Sequence, residues 1–443
     1  MNIKVGFVSL GCPKNLMNTE RMLALLAAEG FEIVAEDVEA DVMVINTCAF
    51  IESAKTEAID SILDIAWLKE HHTLKGIVVA GCLPQRYGDE ILKELPEVNC
   101  IIGTGSVEKI CEAVRAAYHG TSYRAFDDID TAPFGGERVV TTPEHYAFIK
   151  IAEGCDNRCS YCIIPYLRGK FRSRQMDDVL YEARMLAESG VKELIVVAQD
   201  TSRYGTDLPG HKRLLPELIR QLAKIEKLHW IRLHYLYPDE IDDELIDVIA
   251  AEPKVVKYLD IPIQHCNSKV LKLMNRRGDH DFLCQLFHKL RSRIPGLVIR
   301  TSVITGLPGE GEEEFTQLCE FLKEQKLERT GAFAFSPEEG TPAAEMEFVD
   351  NEIARNRAEM IETIQSRIMD DYNASFIGKT LEVLVDGYDE ENEQFYGRPY
   401  ADCPDIDGRV WIASEEALVE GSFVWVTIDG VIDGDLSGYI VEE

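Results

Sequence analysis

The chain has 443 residues, a hydrophobic content of 46% and a formal net charge of −32. This is enough apolar material for real cores in roughly three domains, and the acidity argues against a general nucleic-acid binder, which needs lysine and arginine to displace counterions from phosphates. Residues 1–10 resemble a strand rather than a signal peptide, and no apolar run reaches membrane-spanning length, so we expect a cytoplasmic protein with no membrane partner.

The first segment, residues 1–120, alternates predicted strands with predicted helices. Hydrophobic patterning predicts strands at 3–9, 42–46, 77–80 and 100–103, and helices at 18–29, 53–69, 84–94 and 106–118. Such alternation is typical of a doubly wound parallel sheet. The segment therefore predicts an α/β domain.

Three cysteines of this segment follow predicted strands. Cys12, Cys48 and Cys82 each lie two or three residues beyond the end of a strand. In a parallel sheet these positions share the carboxyl edge, where open α/β sheets bind ligands. We therefore expect three thiolates to converge there. The alternative is three unrelated core cysteines, because buried free cysteines are common.

Residues 121–145 are rich in Gly, Pro and Asp, show no sustained periodicity and are predicted to form a linker. Alternation resumes over 146–375, where six strand-like runs are each followed by a helical pattern, and the segment ends in a helix at 350–373. This order predicts a partial or full parallel (βα) barrel, whose working residues lie at the carboxyl ends of its strands. The strand-like runs are 147–151, 193–198, 230–234, 258–261, 298–304 and 331–335.

A cluster of cysteines follows the first of these strands. Cys155, Cys159 and Cys162 form a C-x3-C-x2-C run. Iron-sulfur cubanes normally take four cysteines, so three thiolates leave one iron open to a substrate. The spacing resembles the radical S-adenosylmethionine (SAM) superfamily, in which the open iron chelates SAM. The alternatives are a zinc knuckle or buried structural cysteines, but zinc prefers two separated ligand pairs and no second pair is nearby.

The last segment, 376–443, changes character. Strand-like runs at 383–385, 409–412 and 423–428 are separated by Gly and Asp turns, which predicts a small antiparallel β-barrel. The segment holds 3 basic and 17 acidic residues, a net charge of −14.

With these motifs in place, the chain resembles the radical-SAM methylthiotransferase family over nearly its whole length. That family has an amino-terminal domain with three cluster cysteines, a radical-SAM core and a carboxy-terminal β-barrel called TRAM. The run Ser-Leu-Gly-Cys-Pro-Lys-Asn at 9–15 is similar to the branch that modifies an aspartate of small-subunit ribosomal protein S-twelve. The relatives that act on tRNA carry a run closer to Gly-Cys-Gln-Met-Asn. Further runs similar to this branch lie at 199–201, 261–265, 305–310 and 397–398.

The resemblance implies two 4Fe-4S clusters and SAM as cofactors. It implies that the cluster on Cys155, Cys159 and Cys162 reduces SAM, and that the resulting radical takes a hydrogen from the aspartate β-carbon. The cluster on the amino-terminal cysteines would hold the sulfur that is methylated and transferred. A reductant such as flavodoxin or ferredoxin and a sulfur source are the further implied partners.

The resemblance also suggests SAM contacts among residues near the cluster loop. Tyr161 could pack against the adenine, Arg172 and Arg174 could pair with the carboxylate, and Gln199 and Asp200 could form hydrogen bonds. Each has a structural alternative: a loop aromatic, surface arginines and loop capping. The other strand-end and cysteine side chains are interpreted as core or loop residues; they are His234, His265, Cys100, Cys111, Cys266, Cys284, Cys319 and Cys403.

Two other functions remain open from the sequence. A tRNA methylthiotransferase would share the clusters, but an RNA-binding barrel calls for basic and aromatic residues, whereas an acidic barrel complements a basic ribosomal protein. A non-catalytic two-cluster electron carrier would usually have four-cysteine sites. SAM cleavage by the reduced protein distinguishes an enzyme from a carrier.

Overall fold

The structure, a computed structural model, describes residues 3–441. The amino-terminal unit is a six-stranded parallel sheet in the order β2-β1-β3-β4-β5-β6, with strands β1 Lys4–Ser9, β2 Glu32–Ile33, β3 Val42–Thr47, β4 Gly76–Gly81, β5 Cys100–Ile102 and β6 Tyr123–Ala125. Its helices are α1 Pro13–Ala28, α2 Glu52–His71, α3 Cys82–Tyr87, α4 Asp89–Glu94 and α5 Ile110–Tyr118.

Helices cover both faces of this sheet. Side chains of β3 alternate between the two cores: Met43 and Ile45 pack with α2, whereas Val42 and Val44 pack with α1 and α5. Successive side chains of a strand point to opposite faces of the sheet, so a strand that is buried on both faces has a continuous apolar sequence. The predicted doubly wound sheet is confirmed.

Three sequence-based boundaries were wrong. Helix α1 begins at Pro13, not at 18, because proline is favoured in the first turn, where no N–H partner is needed. The helix expected at 84–94 is two helices divided at Gly88, whose φ of +52° suits glycine. The segment 121–145 is not wholly a linker, since β6 adds a parallel strand to the sheet edge.

The central unit is an open six-stranded parallel sheet in the order β14-β13-β12-β11-β10-β7. The barrel is therefore partial rather than full. Its strands are β7 Tyr146–Lys150, β10 Glu193–Val197, β11 Trp230–Leu233, β12 Val255–Asp260, β13 Val298–Thr305 and β14 Arg329–Ala334, and a short ribbon pairs β8 Ala152–Glu153 with β9 Arg172–Ser173. Its helices are α6 Ile164–Arg168, α7 Met176–Glu188, α8 Leu215–Ala223, α9 Asp243–Ala251, α10 Ser268–Leu273, α11 His280–Arg293, α12 Glu312–Gln325 and α13 Asn351–Ala374.

The carboxy-terminal unit is a closed five-stranded barrel in the order β15-β16-β17-β19-β18. Its pairs are antiparallel except for β17 with β19, which are parallel. Alternate strand residues such as Val383, Val385 and Val426 fill its core. The strands are β15 Thr380–Asp389, β16 Gln394–Pro399, β17 Val410–Ala413, β18 Phe423–Ile432 and β19 Asp435–Ile440.

The other two units fill the inner face of the open central sheet. Met17 of α1 packs there with residues of β7 and β10, and Ala401 and Cys403 of the terminal barrel pack with residues of β11, β12 and β13. Buried polar contacts fix this docking: Arg232 donates to the Tyr400 carbonyl over 2.9 Å. No helix within residues 3–441 is long and apolar enough to cross a membrane.

Candidate iron-sulfur and substrate site

The structure brings the three amino-terminal cysteines together at the carboxyl edge of the first sheet. Cys12 is the residue before α1, Cys48 follows β3, and Cys82 opens α3 directly after β4. Gly11 has a φ of +91°, and a Cβ built on it would lie 3.2 Å from the Cys48 Sγ. The close approach of this turn to Cys48 therefore requires glycine.

The pKa values of these three thiols are shifted by burial and by neighbouring charges. Burial raises the pKa of Cys48 to about 12, and the neighbouring Cys82 and Cys12 thiols add to that shift. Burial also acts to raise the pKa of Cys12, but the charges of Lys14 and Arg168, together with hydrogen bonds from the backbone N–H groups of Asn15 and Lys14, outweigh it, and the pKa is lowered. Buried thiols that repel one another when ionised are stabilised as thiolates by metal, so this donor set fits an iron-sulfur cluster.

Arg168 connects this set to the central unit. It is buried at 4% exposure, and its Nη2 lies 3.0 Å from the Asn15 Oδ1 and 3.4 Å from the Cys82 Sγ. Its Nη1 lies 3.7 Å from the Glu153 carboxylate, just before the second cysteine loop. The sequence did not single out Arg168, because nothing in its local pattern indicates a long-range partner.

The second set lies in the loop between β8 and α6, and many contacts hold the loop backbone. Cys155 N–H donates to the Gly169 carbonyl over 3.0 Å, and Ser160 N–H donates to the Met274 carbonyl over 3.1 Å. Gly154 has a φ of +79°, and a Cβ there would lie 2.0 Å from the Lys170 carbonyl oxygen. Hydrogen bonds and close packing thus hold the backbone of the loop.

The thiols of this loop are also surrounded by groups suited to an electron-rich cluster. Burial raises the pKa of Cys155 to about 11. The Cys159 Sγ lies 3.6 Å from the Tyr237 Oη and 3.7 Å from the Arg276 Nη1. Arg276 also donates to the Pro262 carbonyl over 2.6 Å. Hydrogen-bond donors to the sulfur ligands tune such clusters, and neither Tyr237 nor Arg276 was identified from sequence.

Within residues 3–441, no three His, Cys, Asp or Glu side chains converge closely enough to hold one metal ion. Each cysteine of a cubane binds a different iron, so its ligands need not meet at a single point. The two cysteine sets are consistent with clusters rather than with a mononuclear metal site.

Three of the five suggested SAM contacts lie against the loop. Asp200 accepts from the Asn157 Nδ2 over 2.7 Å, and Tyr161 lies 3.3 Å from the Arg276 Nη1. Gln199 donates to the Glu153 carboxylate over 2.7 Å, and its buried Oε1 has no partner among residues 3–441. That free oxygen can accept a hydrogen bond from a ligand amine.

Glu153 is the charged centre between the two cysteine sets. Its Oε2 lies 2.7 Å from the Lys150 Nζ. Burial acts to raise its pKa, but Lys150 and Arg168 outweigh burial and lower the pKa to about 2. The carboxylate therefore stays ionised and holds Gln199 in position.

The two suggested arginines contact other partners. Arg172 donates to the carbonyls of Ala132 and Ile129 over 2.5 and 2.8 Å. Arg174 is buried and donates to Asp178 and to Glu182. The structure therefore places both guanidinium groups in contacts with the segment before β7 and with α7.

The other histidines and cysteines that were singled out from the sequence are buried or partly buried in cores or loops. His234 follows β11, and its Nε2 lies 3.3 Å from the Cys403 Sγ, at the contact between the central sheet and the terminal barrel. His265 accepts at Nδ1 from the Asn267 N–H over 2.9 Å. The other cysteines, Cys100, Cys111, Cys266, Cys284 and Cys319, are buried or partly buried.

Three family models match separate parts of the chain. Residues 4–103 match the uncharacterized protein family UPF0004, residues 149–322 the radical SAM superfamily, and residues 377–441 the TRAM domain. The radical SAM match implies a 4Fe-4S cluster and SAM.

Relatives named ribosomal protein uS12 methylthiotransferase RimO match end to end. The protein from Acetivibrio thermocellus is 45% identical, covering 100% of this chain and 99% of the relative. The protein from Pelotomaculum thermopropionicum is 47% identical, covering 100% of both. Among solved structures, the radical SAM methyltransferase TsrM from Kitasatospora setae is similar with a TM-score of 0.56 at 14% identity, over 77% of this chain and 74% of TsrM. That likeness concerns the fold alone.

Proposed function

The chain belongs to the RimO family of ribosomal protein uS12 methylthiotransferases, and from this membership we propose that it attaches a methylthio group to the β-carbon of an aspartate of uS12. The observation that carries the proposal is the pair of three-cysteine sets, each at the carboxyl edge of its own parallel sheet. An electron carrier would need neither an open iron nor a partial barrel that surrounds a substrate.

We propose that Cys155, Cys159 and Cys162 hold one 4Fe-4S cluster and that the amino-terminal set holds a second. When bound, the clusters and SAM supply the radical and sulfur chemistry that no side chain can provide for an unactivated C–H bond. The chain's own residues bind and orient these groups. Arg168 contributes positive charge at the first set and Arg276 at the second.

The SAM contacts remain part of the proposal. We propose that the free Oε1 of Gln199 accepts a hydrogen bond from the SAM amino group and that Tyr161 packs against the bound molecule. Asp200 fixes the loop through Asn157. Arg172 and Arg174 stabilise the surroundings of the site: Arg172 donates to the segment before β7, and Arg174 pairs with helix α7.

We propose that residues 1–120, 146–375 and 376–443 divide the work among a sulfur-holding domain, a radical-SAM core and a TRAM barrel, with 121–145 as the connection. The barrel's net charge of −14 favours binding of the basic uS12 over binding of RNA phosphates. The electrostatic attraction between the barrel and uS12 should weaken as salt is added, because the Debye length is only about 8 Å at physiological ionic strength. A reductant such as flavodoxin or ferredoxin and a sulfur source complete the proposed partners.

The test is direct. Ribosomal proteins and tRNA from cells with and without this gene are compared by mass spectrometry. The expected result is a uS12 peptide that carries a methylthio group at an aspartate only when the gene is present. A gene-dependent change in a tRNA adenosine, with uS12 unmodified, would establish the tRNA alternative instead.

A further inference from the structure

Lys14 is a largely buried cation for which residues 3–441 provide no carboxylate partner. Its side chain lies on α1, two residues after Cys12, and the residue is only 8% exposed. Its Nζ lies 3.2 Å from the centroid of the Tyr235 ring. Among residues 3–441, the structure records no hydrogen bond or ion pair for this ammonium. The Nζ is not among the fully buried side-chain atoms that lack a partner, so a ligand can reach it, and the tyrosine ring leaves the ammonium able to bind an anion.

The surroundings of Lys14 are the inner face of the central sheet at the carboxyl ends of its strands. Tyr235 follows β11 by two residues and has a φ of +59°, a conformation that is uncommon for a non-glycine residue and that concentrates at functional sites. The adjacent His234 is fully buried, and its Nδ1 has no partner within the described chain. An unpaired cation, an unpaired imidazole nitrogen and a strained backbone thus occur together.

Asp260, the acidic residue that contacts Tyr235 on this face, already has partners. Asp260 accepts from the Tyr235 N–H over 3.2 Å and pairs with Arg300 over 2.8 Å. Both carboxylate oxygens of Asp260 thus have partners, and the structure records no ion pair between Asp260 and Lys14. Within the described range 3–441, no carboxylate forms an ion pair with Lys14.

We propose that Lys14 binds the side-chain carboxylate of the substrate aspartate and so positions its β-carbon beside the first cysteine set. This inference rests on the proposed function. A lysine ammonium and a carboxylate form a charge-assisted hydrogen bond. A substrate that lacks the negative charge loses this interaction and reacts more slowly. Lys14 is then the residue that selects aspartate over asparagine.

The test uses the reconstituted full-length enzyme and two uS12 loop peptides, one with the target aspartate and one with asparagine in its place. For the wild type, the change to asparagine should lower kcat/KM on the order of 10- to 100-fold, because a hydrogen bond to a charged group is lost. For Lys14→Met, kcat/KM for the aspartate peptide should fall by a similar factor. The asparagine peptide should then react within about threefold of the aspartate peptide, since the two changes remove the same interaction.

Two further variants keep the test decisive. Lys14→Arg retains the charge and should retain most of the preference for aspartate. Lys75→Met is the matched control, because the Lys75 Nζ also lies over a tyrosine ring, at 4.0 Å from the Tyr118 centroid, but on an exposed surface. It should leave both the activity and the preference unchanged.

Distinct outcomes separate the two levels of inference. If the wild type leaves the aspartate peptide unmodified, the proposed function fails and this inference fails with it. If the wild type is active and Lys14→Met keeps its full preference for aspartate, only the role of Lys14 is refuted. Loss of iron from Lys14→Met, compared with the wild type, would also overturn it and assign the lysine to the cysteine set.

Discussion

Arg168 offers a quantitative test of how the amino-terminal unit is attached to the central unit. The guanidinium is buried between Asn15 and Cys82 on one side and Glu153 on the other. In Arg168→Met the side chain keeps a similar length and apolar stem but loses every donor. Asn15 and Glu153 then stay buried without that partner.

The expected cost follows from these contacts. Removing one partner of a buried ion pair costs about 3–5 kcal/mol of stability. Because Glu153 keeps its Lys150 partner at 2.7 Å, we expect Arg168→Met to lose about 3 kcal/mol, at the low end of that range. With an m value of about 3 kcal/mol per M, the urea midpoint should fall by about 1 M. The measurement is anaerobic urea unfolding of the reduced, metal-free chain, followed by circular dichroism.

The matched control is Arg115→Met, which removes an exposed ion pair with Glu29 at 2.7 Å. Exposed pairs contribute at most about 1 kcal/mol, so its midpoint should move little. Equal midpoint shifts for the two variants would refute the argument that the burial of Arg168, rather than its charge alone, connects the two units.

Three other predictions concern the clusters and the charged centre. Anaerobic reconstitution should give about eight irons per chain, two cubanes of four, and the triple alanine variant of Cys155, Cys159 and Cys162 should keep about half; loss of all iron would argue against independent sites. Cys48→Ala should still produce 5′-deoxyadenosine from SAM but transfer no sulfur, and a complete lack of SAM cleavage would contradict this division of labour. Burial acts to raise the pKa of Glu153, but the adjacent cations hold that pKa at about 2, below the unfolded value of 4.5. The ionised carboxylate therefore contributes fully to the free energy of unfolding above pH 4.5, and this contribution is lost as the pH falls towards 2. The stability difference between the wild type and Glu153→Gln should therefore shrink by about 2 kcal/mol between pH 6 and pH 3, and a difference independent of pH would show that the carboxylate is not held ionised by the fold.

Much of the fold could be predicted from the chain because its signals are local. Buried parallel strands such as β3 and β4 are continuous apolar runs, and the patterns between them have helical periodicity. Errors occurred where a local signal had two meanings. Pro13 begins a helix rather than extending a loop, and β6 lacks the length and apolar content that mark a strand, because it is an edge strand held by pairing with β5.

The cysteines could be identified from the sequence for the same reason. Cys155, Cys159 and Cys162 are neighbours along the chain, and the amino-terminal set follows from the rule that parallel strands end at one edge. That Cys12, Cys48 and Cys82 converge needed only the predicted order of strands and helices. Their assignment as cluster ligands stays a prediction.

Only the tertiary structure decided the charges around these cysteines. Arg168 and Arg276 belong to no local motif for such a role, because each acts on a group far away in sequence: Arg168 on Cys82 and Arg276 on Cys159. Lys14 lies in the run at 9–15, but only the tertiary structure places its ammonium over the Tyr235 ring. Hydrophobic periodicity and residue spacing predict which residues are buried and where helices and strands end, because burial and element ends depend on neighbours along the chain. The partner of a long cationic side chain depends on how separate units dock, and no local pattern carries that information.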